Sequence, residues 1–107
     1  MKNLVIFILL ILSADYVFPQ NSIPATEPVR LEYKNIDTVH LYLHIYRPEN
    51  FDRNKIYNAI VFFHGGGWNQ GSYKAFQRQS RYLASRGMIA ISADYRVRRV
   101  HRTTPFD

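Results

Sequence analysis

Three consecutive glycines, Gly65-Gly66-Gly67, stand between His64 and Trp68, directly after the apolar run Ala59–Phe63. Glycine loses more conformational freedom on folding than any other residue, so a triplet implies unusual backbone angles or the close approach of a ligand. At the C-terminal end of a parallel strand such a turn lies at the mouth of the sheet, where α/β folds bind ligands. Backbone N–H groups converging there can stabilise a developing negative oxygen, and losing one such donor costs a reaction ~3 kcal/mol of barrier. A phosphate-binding loop is the rival use of glycine in this place. Neither G-x-G-x-x-G nor Gly-Lys-Ser/Thr occurs, so that reading lacks its fingerprints. The plain alternative is a tight turn that binds nothing. His64 before the triplet and Trp68 after it favour a site.

Other chemistry-bearing residues show less pattern. His40 and His44 are four apart, which on a helix would suggest a shared metal ion. On a strand they stand roughly 13 Å apart, too far for one ion, and they read as surface residues. Asp37, Glu49 and Asp52 sit in loop sequence without pairing. Tyr33, Tyr42, Tyr46, Tyr57, Tyr73, Tyr82 and Tyr95 are scattered and read as packing. Ser72 follows Gly71, but Tyr73-Lys74 follows it, so it suits a helix cap better than a nucleophile. There is no cysteine, which excludes a disulfide framework or a lipoprotein anchor.

The elements that must position the glycine loop are legible from periodicity. Val29 to Lys34 alternates apolar and polar residues, and Asn35 to Thr38 has turn chemistry. Val39 to Tyr46 alternates again, with Val39, Leu41, Leu43 and Ile45 on one face and His40, Tyr42, His44 and Tyr46 on the other. These two strands form a hairpin. Arg47 to Asn58 reads as a surface loop. Ala59–Phe63 has no polar face and reads as a strand buried on both sides. A helix is predicted over Tyr73 to Arg86, with Tyr73, Phe76, Ser80 and Leu83 on its inner face and Gly87 as its C-terminal cap. Met88 to Ala93 is the next strand, expected to leave an unpaired apolar edge, and it runs into Asp94-Tyr95-Arg96. Strand, glycine turn, helix, strand is a βαβ unit with parallel strands and a right-handed crossover. Thr103-Thr104-Pro105-Phe106-Asp107 has the residue types of a helix start.

The termini and the charge set the context. Lys2, the apolar run Leu4 to Leu12, Asp15 and Pro19 make residues 1–20 an export leader, with Ala14, Gln20 and Ala25 all conceivable as its end. An apolar helix of nine residues spans roughly 13 Å against a ~30 Å hydrocarbon core, so membrane contact is expected only transiently, through the leader. The expected location is secreted or periplasmic. Residues 21–28 form a polar linker, and 29–107 a partial domain, since about 85 residues are few for a sheet covered on both faces. Fourteen Lys and Arg oppose eight Asp and Glu, and Arg96, Arg98, Arg99 and Arg102 crowd around His101. Such a basic stretch can hold an anionic surface. No nucleic-acid motif accompanies it, and an exported chain seldom meets nucleic acid, so no nucleic-acid partner is expected.

The strand Ala59–Phe63, then His64-Gly65-Gly66-Gly67-Trp68, Gly71-Ser72 and Asp94-Tyr95-Arg96, resembles the α/β-hydrolase superfamily, in particular its secreted esterase and acetyl-esterase branch. An HGGG-type motif supplies oxyanion donors in lipases and esterases. The resemblance implies an α/β fold, the N-terminal part of a hydrolase sheet: the hairpin followed by one βαβ unit, truncated. It implies that the amides of Gly66 and Gly67, with Gly65 as a further candidate, face the oxyanion. It implies that His64 braces the loop, that Trp68 lines the substrate mouth, and that Asp94 and Arg96 steady the loop from the next strand end. Each has a plainer competitor: a strand-end histidine, a packing tryptophan, an Asp94–Arg96 ion pair.

The nucleophile elbow G-x-S-x-G is absent, so the Ser, acid and His of the triad are expected beyond Asp107. The implied activity is hydrolysis of a small-molecule or carbohydrate ester, such as an acetylated sugar, without metal or organic cofactor. The 107 residues alone are expected to be inactive and poorly folded. A serine peptidase of the same fold is one alternative. A non-catalytic secreted binding module is another, and it would unfold cooperatively as the chain stands.

Overall fold

A computed structural model describes residues 27–106 of the chain. The leader and most of the linker lie outside the described residues. Two long strands come first, β1 (Val29–Ile36) and β2 (Val39–Tyr46), antiparallel with Ile36 opposite Val39. A two-residue hairpin loop needs positive φ in its turn, and Asp37 supplies it at 54°. The register slips between Glu32 and Lys34, leaving Tyr33 as the extra residue of a bulge. Its hydroxyl donates to the Asp94 carbonyl at 2.6 Å.

The next strand, β3 (Ala59–Phe63), lies parallel to β4 (Ile89–Ala93), and β4 pairs antiparallel with β2. The sheet order is β1-β2-β4-β3. This is the expected hairpin and βαβ unit.

The crossover differs in detail from one continuous helix. A 3₁₀ turn, Tyr73–Phe76, precedes α1 (Gln77–Ser85). Residues three apart eclipse in a 3₁₀ turn. That geometry lets Tyr73 stack on His44 (ring centroids 3.4 Å apart) while Phe76 stacks on Phe62 (4.7 Å). Ser72 caps this turn as expected, its hydroxyl accepting from the Lys74 amide at 3.4 Å. At the far end Gly87 takes φ +88°, its amide donating to Ala84 and that of Met88 to Leu83. These are the two bonds of a Schellman cap.

The core lies between α1 and the sheet, around Tyr46, Ala84 and Ala90, with Ile60, Phe62 and Leu83 packed on it. The small side chains at 84 and 90 let the helix approach closely, and Ser80 and Ser92 meet there through their hydroxyls at 3.3 Å. Burial pushes the Tyr46 phenol up from its ordinary value of 10.0. Tyr33 moves the same way, through burial and then the nearby Asp94 charge. Both folded-state values exceed the unfolded ones, so their contribution to stability is complete below pH 10 and is lost as pH rises through the raised values. In an alkaline titration followed by phenolate absorbance, the folded chain should finish ionising at higher pH than the chain in urea. Tyr46→Phe should remove part of that gap; no gap would contradict the burial.

Three expectations change here. The strand Ala59–Phe63 is not buried on both sides: Val61 is 46% and Phe63 66% exposed, because α1 covers only the Ile60 and Phe62 face. The sheet edges are β1 and β3, and the all-apolar edge belongs to β3 rather than to the last strand, since β4 is flanked by β2 and β3. An exposed apolar strand at a sheet edge templates association. The chain should therefore self-associate as its concentration rises, and Val61→Lys should suppress this in sedimentation velocity. Finally, a short helix α2 (Arg98–His101) precedes the expected helix start and ends at Arg102, whose φ is 52°. Residues 105 and 106 lie in a turn, and the Phe106 amide donates to the Thr104 hydroxyl at 3.3 Å.

Candidate functional site

The glycine loop leaves the C-terminal end of β3, as expected for a ligand-facing turn. Its conformation depends on glycine at specific positions. Gly66 has φ +124°, and a Cβ there would overlap the Gln70 carbonyl. Gly67 and Trp68 lie in the left-handed region at +59° and +57°. Gly65 is under no such constraint; a Cβ there would meet nothing within 4 Å. Gly71 matters for a different reason. With φ +116°, it leaves space for the His64 ring, which a Cβ would strike.

The loop's carbonyls are nearly all engaged. The Tyr95 hydroxyl donates to the His64 carbonyl. The His64 ring, 5% exposed, is bonded through Nδ1 to the Gly65 carbonyl at 2.8 Å. The Gly66 carbonyl accepts from Asn69 (3.0 Å) and Gln70 (3.4 Å). Those of Trp68 and Asn69 accept from the amides of Arg98 (2.7 Å) and Arg99 (3.0 Å). The first amides of a helix have no partner within it, and here the loop satisfies two of them. By contrast, no protein acceptor among the described residues takes the amides of Gly65, Gly66 or Gly67. Carbonyls fixed and amides left over is what binding an anionic oxygen requires.

These residues border an open recess of about 450 Å³ lined by Phe63, His64, Gly65, Gly67, Trp68 and Tyr95. Gly66 forms the turn between the two glycines that line it. Trp68 in that lining is 57% exposed, and Tyr95 stacks flat on His64 with ring centroids 4.1 Å apart.

Asp94 is engaged elsewhere. Asp94 does not pair with Arg96; its Oδ2 lies 3.0 Å from His44 Nε2. The register explains this: His44 stands opposite Ser92 on the adjoining strand, so its ring reaches the carboxylate just beyond β4. His44 is therefore not a surface residue but 4% exposed, sandwiched under Tyr73. His40 remains exposed and bonds to Glu32 at 3.0 Å. Sequence reasoning also missed Tyr95, which both stacks on His64 and holds its carbonyl. Its position between Asp94 and Arg96 was the available signal.

A hairpin feeding a parallel βαβ unit, with a glycine loop at the end of its first parallel strand, matches the N-terminal part of an α/β-hydrolase of the esterase kind. An esterase of the planctomycete Thermogutta terrifontis superposes with TM-score 0.69 at 42% identity, over 78% of this chain and 29% of that one. The same enzyme phosphorylated by paraoxon gives 0.68 at 44% identity, over 72% of this chain and 30% of that one. Neuroligin-like protein glit-1 of Caenorhabditis elegans is 40% identical over 63 residues, 58% of this chain and 8% of its own length. The chain belongs to the BD-FAE family, whose model matches residues 43–106. It spans less than a third of the esterase it resembles.

Proposed function

We propose that residues 64–68 supply the oxyanion hole of a serine carboxylic-ester hydrolase. The observation that carries this reading is the pattern of engaged carbonyls and unclaimed glycine amides beside an open recess. The likeness to an esterase supports it. In the reaction a serine attacks the ester carbonyl, and the carbonyl oxygen becomes an anion facing the amides of Gly66 and Gly67, with Gly65 as a further donor. The alkoxide leaves with a proton from the histidine, forming an acyl-enzyme. Water then repeats the sequence and releases the acid, so the same amides serve both halves.

His64 braces the loop from behind, and Trp68 lines the mouth. The serine, acid and histidine are assigned to sequence beyond Asp107, and the chain by itself turns nothing over. Export through residues 1–20 would bring the protein to an extracellular or periplasmic ester, such as an acetylated sugar. The test is to extend the chain through its downstream reading frame and assay p-nitrophenyl acetate. Hydrolysis abolished by replacing the serine of a G-x-S-x-G sequence is the expected result. A peptidase would instead cleave peptide substrates preferentially, and an extended protein without turnover of either would overturn the reading.

A further inference from the structure

The basic stretch around α2 has no part in the oxyanion chemistry, yet its backbone is bonded directly to the glycine loop. Arg98, Arg99 and Arg102 are exposed, and residues 95–106 contain no Asp or Glu. Among the described residues no carboxylate lies within 4.0 Å of these guanidinium groups; Arg99 instead donates to the Gln70 side chain at 3.0 Å. His64 also lines a second cavity of about 460 Å³, together with Arg30, Lys74 and His101 among others. Asp94 is the one carboxylate lining it and is engaged by His44. Exposed arginines thus sit on the helix bonded to the loop, Arg30 and Lys74 line the cavity that shares His64 with the recess, and Trp68 in the recess lining is itself exposed.

Resting on the oxyanion reading, we propose that the ester this loop serves is carried on an anionic polysaccharide, an acylated uronate polymer. Carboxylates along the polymer are held by Arg98, Arg99 and Arg102, with Lys74 extending the track. Guanidinium groups pair with carboxylates through two parallel hydrogen bonds, which suits a repeating carboxylate. Trp68 offers a flat face for a sugar ring. A nucleic acid would meet the same charges, but it carries no carboxylic ester for the adjoining recess. The acidic polysaccharide satisfies both features.

The test is binding of the 107-residue chain to de-esterified polygalacturonate, with a neutral glucan and single-stranded DNA in parallel. Binding to polygalacturonate that weakens steadily with added salt is expected, with none to the neutral glucan. Substituting Arg98→Glu, Arg99→Glu and Arg102→Glu together should weaken it at least tenfold. Arg53→Glu, Arg78→Glu and Arg86→Glu make the same charge change elsewhere and should cost far less. Absence of binding at low salt, salt-independent binding, equal loss in both triple variants, or DNA held as tightly as polygalacturonate would each overturn the proposal. The salt series needs no variant, so a folding failure leaves it decisive. Binding needs no turnover, so an extended protein that binds the polymer yet hydrolyses no ester would defeat the oxyanion reading alone.

Discussion

Gly66→Ala is expected to lower kcat for p-nitrophenyl acetate at least a hundredfold in a polypeptide that extends this chain through its nucleophile. The position demands φ +124°, where a side chain is strained, and the new Cβ would overlap the Gln70 carbonyl. That carbonyl cannot swing aside cheaply. Asn69 and Gln70 both donate back to Gly66, and the Trp68 and Asn69 carbonyls are tied to α2. The loop must therefore rearrange, and an amide displaced from the oxyanion costs on the order of 10²–10³ in rate. The other two glycines rank below it. Gly67→Ala meets no atom but must hold φ +59°, a left-handed cost of about 1–2 kcal/mol. Gly65→Ala meets no atom and carries no positive φ, so the loop should stay in place. Emission from Trp68, the sole tryptophan, reads the same ranking in the chain alone. A harmless Gly66→Ala, or Gly65→Ala as the worst of the three, would dismiss this account of the loop.

The sequence made the order of elements readable because each signal was local. Alternation marked β1 and β2, the apolar run marked β3, and Gly87 marked the end of α1. What escaped it depended on contacts distant in the chain. His44 alternates with apolar neighbours like any outward-facing strand residue, and only the packing of Tyr73 over β2 makes that face interior. Tyr95 looked like one tyrosine among many because its partner, the His64 carbonyl, lies 31 residues away. The exposure of Val61 and Phe63 was likewise invisible, since an all-apolar strand implies cover on both faces and α1 supplies it on one. The glycine triplet was conspicuous as composition. That Gly66 carries the steric demand and Gly71 makes room for His64 is set by the folded loop, through contacts with Gln70 and the His64 ring.

Asp94→Ala should separate the stability of the sheet from the geometry of the loop. The His44 ring is 4% exposed and lies against Tyr73, and its Nδ1 already has no hydrogen-bond partner among the described residues. Removing the carboxylate leaves Nε2 without one too, at a cost of about 2–3 kcal/mol for an interior group stripped of a charged partner. Asp94→Asn keeps an oxygen for Nε2–H and should lose less than half of that. Adding His44→Phe to Asp94→Ala should recover much of the loss, since no polar nitrogen would then be left unpaired. The loop should scarcely notice any of this. The backbone at 94 is held independently, its carbonyl by the Tyr33 hydroxyl and its amide by the Tyr42 carbonyl at 2.9 Å, so Tyr95 stays in position. Tyr95→Phe is the converse case. It keeps the stack on His64 and gives up one hydrogen bond, worth ~1 kcal/mol of stability, but frees the carbonyl that sets the direction of the first glycine amide. Urea midpoints at low protein concentration should therefore fall mainly in Asp94→Ala, while Trp68 emission should change mainly in Tyr95→Phe. If both variants moved both readouts in proportion, the strand end and the loop would be one cooperative unit, and Tyr95 would have no positioning role of its own.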